Sequence, residues 1–302
     1  EPQGVELEHR SVVNLLCAVR EMLAVTPQDR WLAVSSAASE RALAEWFVPL
    51  VSGAALVLRA PDLLHDPRRL ADTVRRQRVT LFHAAPSVWS TLLDAASDFP
   101  RLRVALCSGA GLAPALAMRL TAQAEQAWNL HGPTEAAGWA IAYRLDPMPD
   151  PTATPDAQAD AGDLMPIGWP LANLYALVVN EHGLPVPDGG HGELWLSGLG
   201  LARGYRGKAA LTSQCFPESG PVGERCFRGG TRVRRDTQGA LHWAPSSRPA
   251  AAVGAMGPIG ATPRARRRGL MAVLCGLLRR SNRLRAAAGT LLGAERCHRP
   301  GR

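Results

Sequence analysis

Leu102-Arg103-Val104-Ala105-Leu106-Cys107-Ser108-Gly109-Ala110-Gly111 is the stretch on which the fold turns. A short apolar run interrupted by one Arg reads as a strand over residues 102–107, and the glycines behind it force a turn. Residues 114–128, rich in Ala, Leu, Gln and Glu, then read as a helix. The same alternation recurs upstream. Residues 30–35, 54–58 and 79–83 read as strands, while residues 42–50, 67–77 and a run from Pro86 read as helices. Ser11 is placed to cap an earlier helix whose apolar face is Val12, Val13, Leu15, Leu16, Val19 and Leu23. Strand and helix alternating over residues 28–145 predict an α/β fold, a parallel sheet layered with helices. In such sheets ligands bind beyond the carboxyl ends of the strands, where the turns at 108–111 and 129–135 fall.

The pattern changes past residue 145. Residues 146–163 are rich in Pro, Asp, Ala and Thr without periodicity, as in a linker or surface loop. Short strands at 176–179 and 192–197, separated by Gly-rich turns, predict a smaller β-rich subdomain. The expected organisation is a core over 1–150, a linker over 151–165, the β-rich part over 166–245, and a disordered or partly helical basic tail over 246–302.

The net charge of +8 misleads, because twelve Arg and one acid, Glu295, fall in residues 246–302 and leave the rest at −3. The body therefore has no electrostatic footprint for nucleic acid. Only the tail, with Arg264, Arg266, Arg267 and Arg268 before the apolar residues 270–278, offers a basic amphipathic segment for anionic lipid or RNA. That apolar run is too short to span a bilayer. Six cysteines lack Cys-x-x-Cys spacing, which points away from zinc and towards a reducing, cytoplasmic setting. The chain opens on Glu1 with neither Met nor signal peptide, so a preceding piece is expected to be missing.

Asn129-Leu130-His131-Gly132-Pro133-Thr134-Glu135 carries the chemistry. A Gly-Pro turn presents backbone N–H groups and a hydroxyl to one small volume. Thr134 can donate to a phosphate oxygen, and Glu135 can bind a hard cation such as Mg²⁺. The alternative is a plain turn with a solvated Glu. A second segment, Gly192-Glu193-Leu194 through Ala202-Arg203-Gly204-Tyr205, shifts the balance. Together the two resemble the Asn-x-Tyr-Gly-Pro-Thr-Glu and Gly-Glu-Leu…Ala-Arg-Gly-Tyr motifs of adenylate-forming enzymes, specifically the adenylation domains of nonribosomal peptide synthetases. The resemblance covers residues 1–245.

The resemblance implies ATP and Mg²⁺ as cofactors, an amino acid as substrate, and as partner a carrier domain with a phosphopantetheine arm in a larger synthetase. It places Thr134 on phosphate, Glu135 on Mg²⁺, Gly109 and Ala110 on the adenosine, and His131 on adenine where the family has Tyr, with Leu130 and Gly132 in the same segment. Thr134 and Glu135 are the implied catalytic pair. Glu40 falls at the family's ammonium-binding Asp, with Arg41 beside it as competitor, or else the two form an exposed ion pair. His83, Leu106, Ser108, Gly138 and Trp139 fall at substrate-pocket positions, although a lone His closing an apolar strand is commonly structural.

Three departures set the expected activity low. Cys226-Phe227-Arg228-Gly229-Gly230-Thr231-Arg232-Val233-Arg234 resembles the family's Tyr-Arg-Thr-Gly-Asp-Leu-Val-Arg, with Thr231 in place of the ribose-binding Asp. One hydroxyl replaces a carboxylate that accepts two hydrogen bonds, a loss of roughly 1.5–3 kcal/mol. The family's phosphate loop would precede Glu1, and its C-terminal Lys has no counterpart. The reading is thus an incomplete copy with weak or no activity, against a non-catalytic module or a basic-tailed binder.

Overall fold

The apolar runs of the first half become the strands of one sheet, and the polar-faced runs between them become its covering helices. The computed structural model describes residues 3–59, 63–147, 164–221 and 223–244, all within the unit Glu1–Gly254. The tail at 246–302 and residues 151–163 of the expected 151–165 linker lie outside the described residues. In chain order the first half forms β1 (Val5–Glu6), α1 (His9–Met22), β2 (Arg30–Ala33), α2 (Arg41–Val51), β3 (Ala55–Leu58), α3 (Pro67–Arg76), β4 (Leu81–Ala84), α4 (Pro86–Ala95), β5 (Leu102–Ser108), α5 (Pro114–Gln123), β6 (Ala124–His131) and β7 (Ile141–Leu145). The second half adds β8 (Trp169–Pro170), β9 (Leu174–Val179), β10 (His191–Gly198), β11 (Gly204–Tyr205), α6 (Ala209–Cys215), β12 (Cys226–Arg235) and β13 (Leu241–Trp243).

The large sheet has seven strands in the order β3-β2-β4-β5-β6-β7-β8. β3, β2, β4, β5 and β6 run parallel, as the alternation predicts, while β7 and β8 return antiparallel at one side. Pro67, Pro86 and Pro114 open α3, α4 and α5, where a fixed φ suits the first helical turn and a missing N–H costs nothing. Leu70, Val74, Trp89, Leu92, Ala117 and Leu120 from these helices join Phe82, Ala105 and Cys107 in one core cluster. Side chains alternate along a strand, so Leu81, His83, Leu106 and Ser108 point to the opposite face, where α2 lies.

Two expectations are corrected. The helix read over 114–128 ends at Gln123, and Ala124–His131 is β6, paired with β5 from Leu102↔Ala124 to Ser108↔Leu130. Helix-favouring Ala, Glu and Gln yield there to parallel pairing, because the strand's Ala124, Ala127 and Leu130 are buried in the sheet. Ser11 is not a cap: α1 begins two residues earlier, and the buried Ser11 hydroxyl donates to the Leu201 carbonyl at 2.7 Å. Val13 faces solvent, while Leu15, Leu16, Val19 and Leu23 form the buried face.

Residues of the second half form a four-stranded antiparallel sheet, β13-β12-β10-β9. β1 pairs with β11, Val5 opposite Tyr205, and Asn14 of α1 donates to the Ala172 carbonyl at 3.0 Å. The Ala-Arg-Gly-Tyr segment is thereby fastened to the start of the chain.

Candidate functional site

The chain leaves β2 for β3 on one side, and the next strand, β4, lies on the other side of β2. That reversal opens a crevice beyond the carboxyl ends of β2 and β4. Glu45 of α2 reaches back into it. Its Oε2 accepts from the Val34 and Ser35 N–H groups, each at 2.8 Å, and its Oε1 accepts from Ser35 Oγ at 2.6 Å. Oε1 also lies 2.7 Å from Nδ1 of His83. A carboxylate only accepts, so His83 carries its N–H on Nδ1 and turns Nε2 to Ser108 Oγ, 2.8 Å away. Trp139 Nε1 donates to the same Ser108 Oγ at 3.2 Å, and its ring stands edge-on to His83 at 5.0 Å. All four side chains are buried. Burial opposes ionisation of Glu45, but the hydrogen bond and charge of His83 and the Ser35 bonds outweigh it and hold the carboxyl below its usual range.

Above this relay sit Glu40 and Arg41, where the β2–α2 loop enters the helix. A Cβ on Gly138 would lie 2.6 Å from Glu40 Cγ, and Gly138 has φ +93°, so only glycine lets the Glu40 stem lie on that turn. The Arg41 guanidinium lies over the Gly109 turn, with Nη2 3.3 Å from where a Gly109 Cβ would stand. Glu40 and Arg41 meet at 3.9 Å, an ion-pair distance rather than a hydrogen bond.

Ser108 lies opposite Leu130 in the β5–β6 register, so the 108–111 and 131–138 turns leave neighbouring strand ends. Gly132 is required by the fold of its turn: an added Cβ would meet the Ala140 nitrogen at 2.5 Å. Thr134 to Ala136 make one 3₁₀ turn, and Ala137 follows in the left-handed region at φ 61°. Glu135 Oε1 accepts from the Tyr205 hydroxyl at 2.6 Å, and the Glu135 carbonyl accepts from Ala202 N–H at 2.7 Å. Burial, and after it the bond to Glu135, raise the Tyr205 hydroxyl above its ordinary pKa. On the other side the His131 ring stands edge-on to Trp243 of β13 at 4.9 Å. Burial pushes His131 down to about 4, so the ring is neutral at pH 7. Trp243 Nε1 is a buried donor with no acceptor among the described residues. Thr231 sits in β12 two residues before Val233, the register partner of Trp243, where the β10–β12 pairing slips between Glu193 and Trp195.

Residues 1–206 match the family described as AMP-binding enzyme. This chain belongs to the AMP-binding enzyme family. It is 36% identical over 248 residues to the phosphinothricin tripeptide synthetase PhsB of Streptomyces viridochromogenes, covering 80% of this chain and 20% of that protein. It is 34% identical over 217 residues to the PKS-NRPS hybrid synthetase ATPKS of Aspergillus niger, covering 72% of this chain and 11% of that protein. The four-domain nonribosomal peptide synthetase AB3403, solved with AMP and glycine, superposes with a TM-score of 0.70 at 31% identity over 80% of this chain and 18% of that one. FmoA3, a synthetase solved with α-methyl-L-serine-AMP, superposes with a TM-score of 0.72 at 32% identity over 81% of this chain and 27% of that one. The chain thus spans a tenth to a fifth of the length of these curated relatives.

Within this AMP-binding unit the sequence-predicted residues are distributed unevenly. His83, Ser108 and Trp139 touch one another, and Glu40 touches Gly138. Leu106 and Leu130 are buried in adjacent strands, while Gly109 and Ala110 are exposed on their turn. Thr134 and Thr231 are half-buried, and neither side chain makes a hydrogen bond among the described residues. Sequence reading gave no role to Glu45, Tyr205 or Trp243. Glu45 has a signal: it is the one acid inside α2, a helix that is apolar apart from Glu45 and its first residue, Arg41. A neutral imidazole beside an orphaned indole N–H fits a heteroatom-rich aromatic ligand such as a purine nucleoside. Glu135, an oxygen donor on the turn beside the Ser108 strand end, has the donor chemistry of a Mg²⁺ ligand in a site that substrate phosphates would complete.

Proposed function

We propose that this chain carries the amino-acid-activating face of a nonribosomal peptide synthetase. It would join an amino acid to ATP as aminoacyl-AMP with release of pyrophosphate, for transfer to the phosphopantetheine thiol of a carrier domain in the cytoplasm. The observation that carries the reading is the Tyr205–Glu135 contact, which brings the two diagnostic segments together beside the Ser108 turn. Thr134 and the N–H groups of its turn would hold phosphate. Glu135 would hold Mg²⁺, which supplies charge neutralisation at the phosphates when bound. His131 and Trp243 would flank the base, with Gly109 and Ala110 against the adenosine. Glu40 would take the ammonium, and His83, Ser108 and Trp139 would form a rigid pocket floor, held from below by Glu45. The work of these residues is positioning and electrostatic stabilisation.

Thr231 favours weak nucleotide affinity, because a hydroxyl replaces a doubly accepting carboxylate. ATP–pyrophosphate exchange across the amino acids, paired with titration of Mg²⁺·AMPPNP, tests both parts. AMPPNP binding with at most weak exchange, confined to a narrow set of amino acids, is the expected result. AMPPNP binding without exchange for any amino acid would leave a non-catalytic nucleotide-binding module. Neither binding nor exchange would remove the reading altogether.

A further inference from the structure

Three arginines of the described chain are buried to a similar degree and differ in what they hold. Arg103 keeps 24% of its side-chain surface and uses every nitrogen. Nε and Nη2 donate to Asp29, each at 2.7 Å, and Nη1 donates to the Leu23 carbonyl at 3.0 Å. Arg225 keeps 27% and donates to the Ala202 and Arg203 carbonyls at 2.9 and 2.7 Å, with Glu218 at 3.4 Å. Arg41 keeps 28%, yet among the described residues its one partner is Glu40 at 3.9 Å, and no side-chain nitrogen of Arg41 hydrogen-bonds an acceptor there. A guanidinium offers five N–H donors in a planar fork matched to carboxylates. At a similar side-chain exposure, Arg41 alone of the three leaves that fork without a hydrogen-bond acceptor among the described residues. The fork also points over the Gly109 turn rather than into Glu40.

We infer that Arg41 is a substrate-binding residue that takes a carboxylate of the activated acid, while Glu40 beside it takes the ammonium. This rests on the proposed activation of an amino acid and narrows it. The pair matches a ligand carrying both charges close together, and an Arg bonded to a carboxylate in this geometry discriminates through two parallel N–H···O bonds. The carboxylate has two sources, the side chain of an acidic amino acid or the α-position. Their chemistry at Arg41 is the same.

The test is isothermal titration of the full chain, saturated with Mg²⁺·AMPPNP, against two matched pairs. Aspartate against asparagine reads the side-chain carboxylate, and glycine against glycinamide reads the α-carboxylate. The expected result is that at least one acid binds about ten-fold or more tightly than its amide, as a charge-assisted bidentate contact gives. Arg41→Gln should bring that ratio to near one, and Arg41→Lys should leave it intermediate, with unchanged thermal midpoints for both variants. Discrimination that survives in Arg41→Gln overturns the inference, as does the absence of discrimination in the native chain. So does a drop of AMPPNP affinity alone in Arg41→Gln, which would assign the fork to a nucleotide phosphate. Titration of AMPPNP without amino acid is the separate readout for the nucleotide site: if that fails, the proposed function itself has failed.

Discussion

The two rims of the parallel sheet are built from the same residue types and do opposite things with them. At the amino-terminal rim, Asp29 sits before β2 and accepts from Arg103 twice, from Thr80 Oγ1 at 2.8 Å and from the Thr26 N–H at 2.8 Å. The buried charge there is answered from within the fold. At the carboxyl rim, Glu45 is answered as fully, but Arg41 and Trp243 Nε1 carry donors that the described residues leave without hydrogen bonds. The contrast follows from topology, because the crevice opens only beyond the carboxyl ends. A rim that serves only the fold can pair its buried charges, even though Trp31 Nε1 of β2 also lacks an acceptor among the described residues. A rim that takes a ligand has to leave some of them for it.

Breaking the saturated rim should produce the largest effect. Arg103→Leu strands the Asp29 carboxylate, whose side chain keeps 3% of its surface. Removing one partner of a buried pair typically costs 3–5 kcal/mol. Because the guanidinium retains partial exposure, a loss of about 3 kcal/mol in urea denaturation is expected, with AMPPNP affinity of the folded fraction unchanged. A loss of nucleotide affinity as well would mean that the two rims are not independent.

Glu45 belongs to the ligand rim yet is saturated, so it tests whether saturation or position decides. Glu45→Gln sets an amide against the Val34 and Ser35 N–H groups and should cost about 2 kcal/mol. Its pH signature is directional. The folded carboxyl titrates below the ordinary glutamate value of 4.5, so between the two values the unfolded chain binds more protons. Its contribution is therefore complete above about pH 4.5 and is lost as pH falls through the folded value. Acid unfolding of Glu45→Gln should lack that part of the slope. An identical slope would show that Glu45 does not hold the proton balance.

Thr231→Asp sharpens the comparison from the ligand side. Restoring a carboxylate at this position should raise AMPPNP affinity about ten-fold, the value of a charged acceptor over a neutral one. Titration that finds no gain would place the β12 irregularity at Thr231 away from the ribose.

What the sequence made legible follows the same division. The strands from β2 to β5 were readable because each is a short apolar run closed by breakers. The two signature segments were readable because turn chemistry needs particular residues at fixed spacing. β6 was not, since Ala124-Glu125-Gln126-Ala127 favours a helix locally and becomes a strand only by pairing with β5. Arg41 was visible as a competitor for Glu40, but its unfilled fork depends on where the Gly109 turn lies, which is a tertiary fact. Glu45 and His83, 38 residues apart in sequence, become a pair only when β4 settles beside β2.

The smallest effect concerns the join between the two segments. Tyr205→Phe removes one hydrogen bond to Glu135 and should cost about 1 kcal/mol of stability. The same hydroxyl competes with any cation for a Glu135 oxygen, so its removal should lower the Mg²⁺ concentration that half-saturates AMPPNP binding. Stability and Mg²⁺ demand then move in opposite senses, which loosening of the turn alone would not produce. Should the Mg²⁺ midpoint stay fixed or rise, Glu135 serves the fold by anchoring β11 and belongs with Asp29 rather than with Arg41.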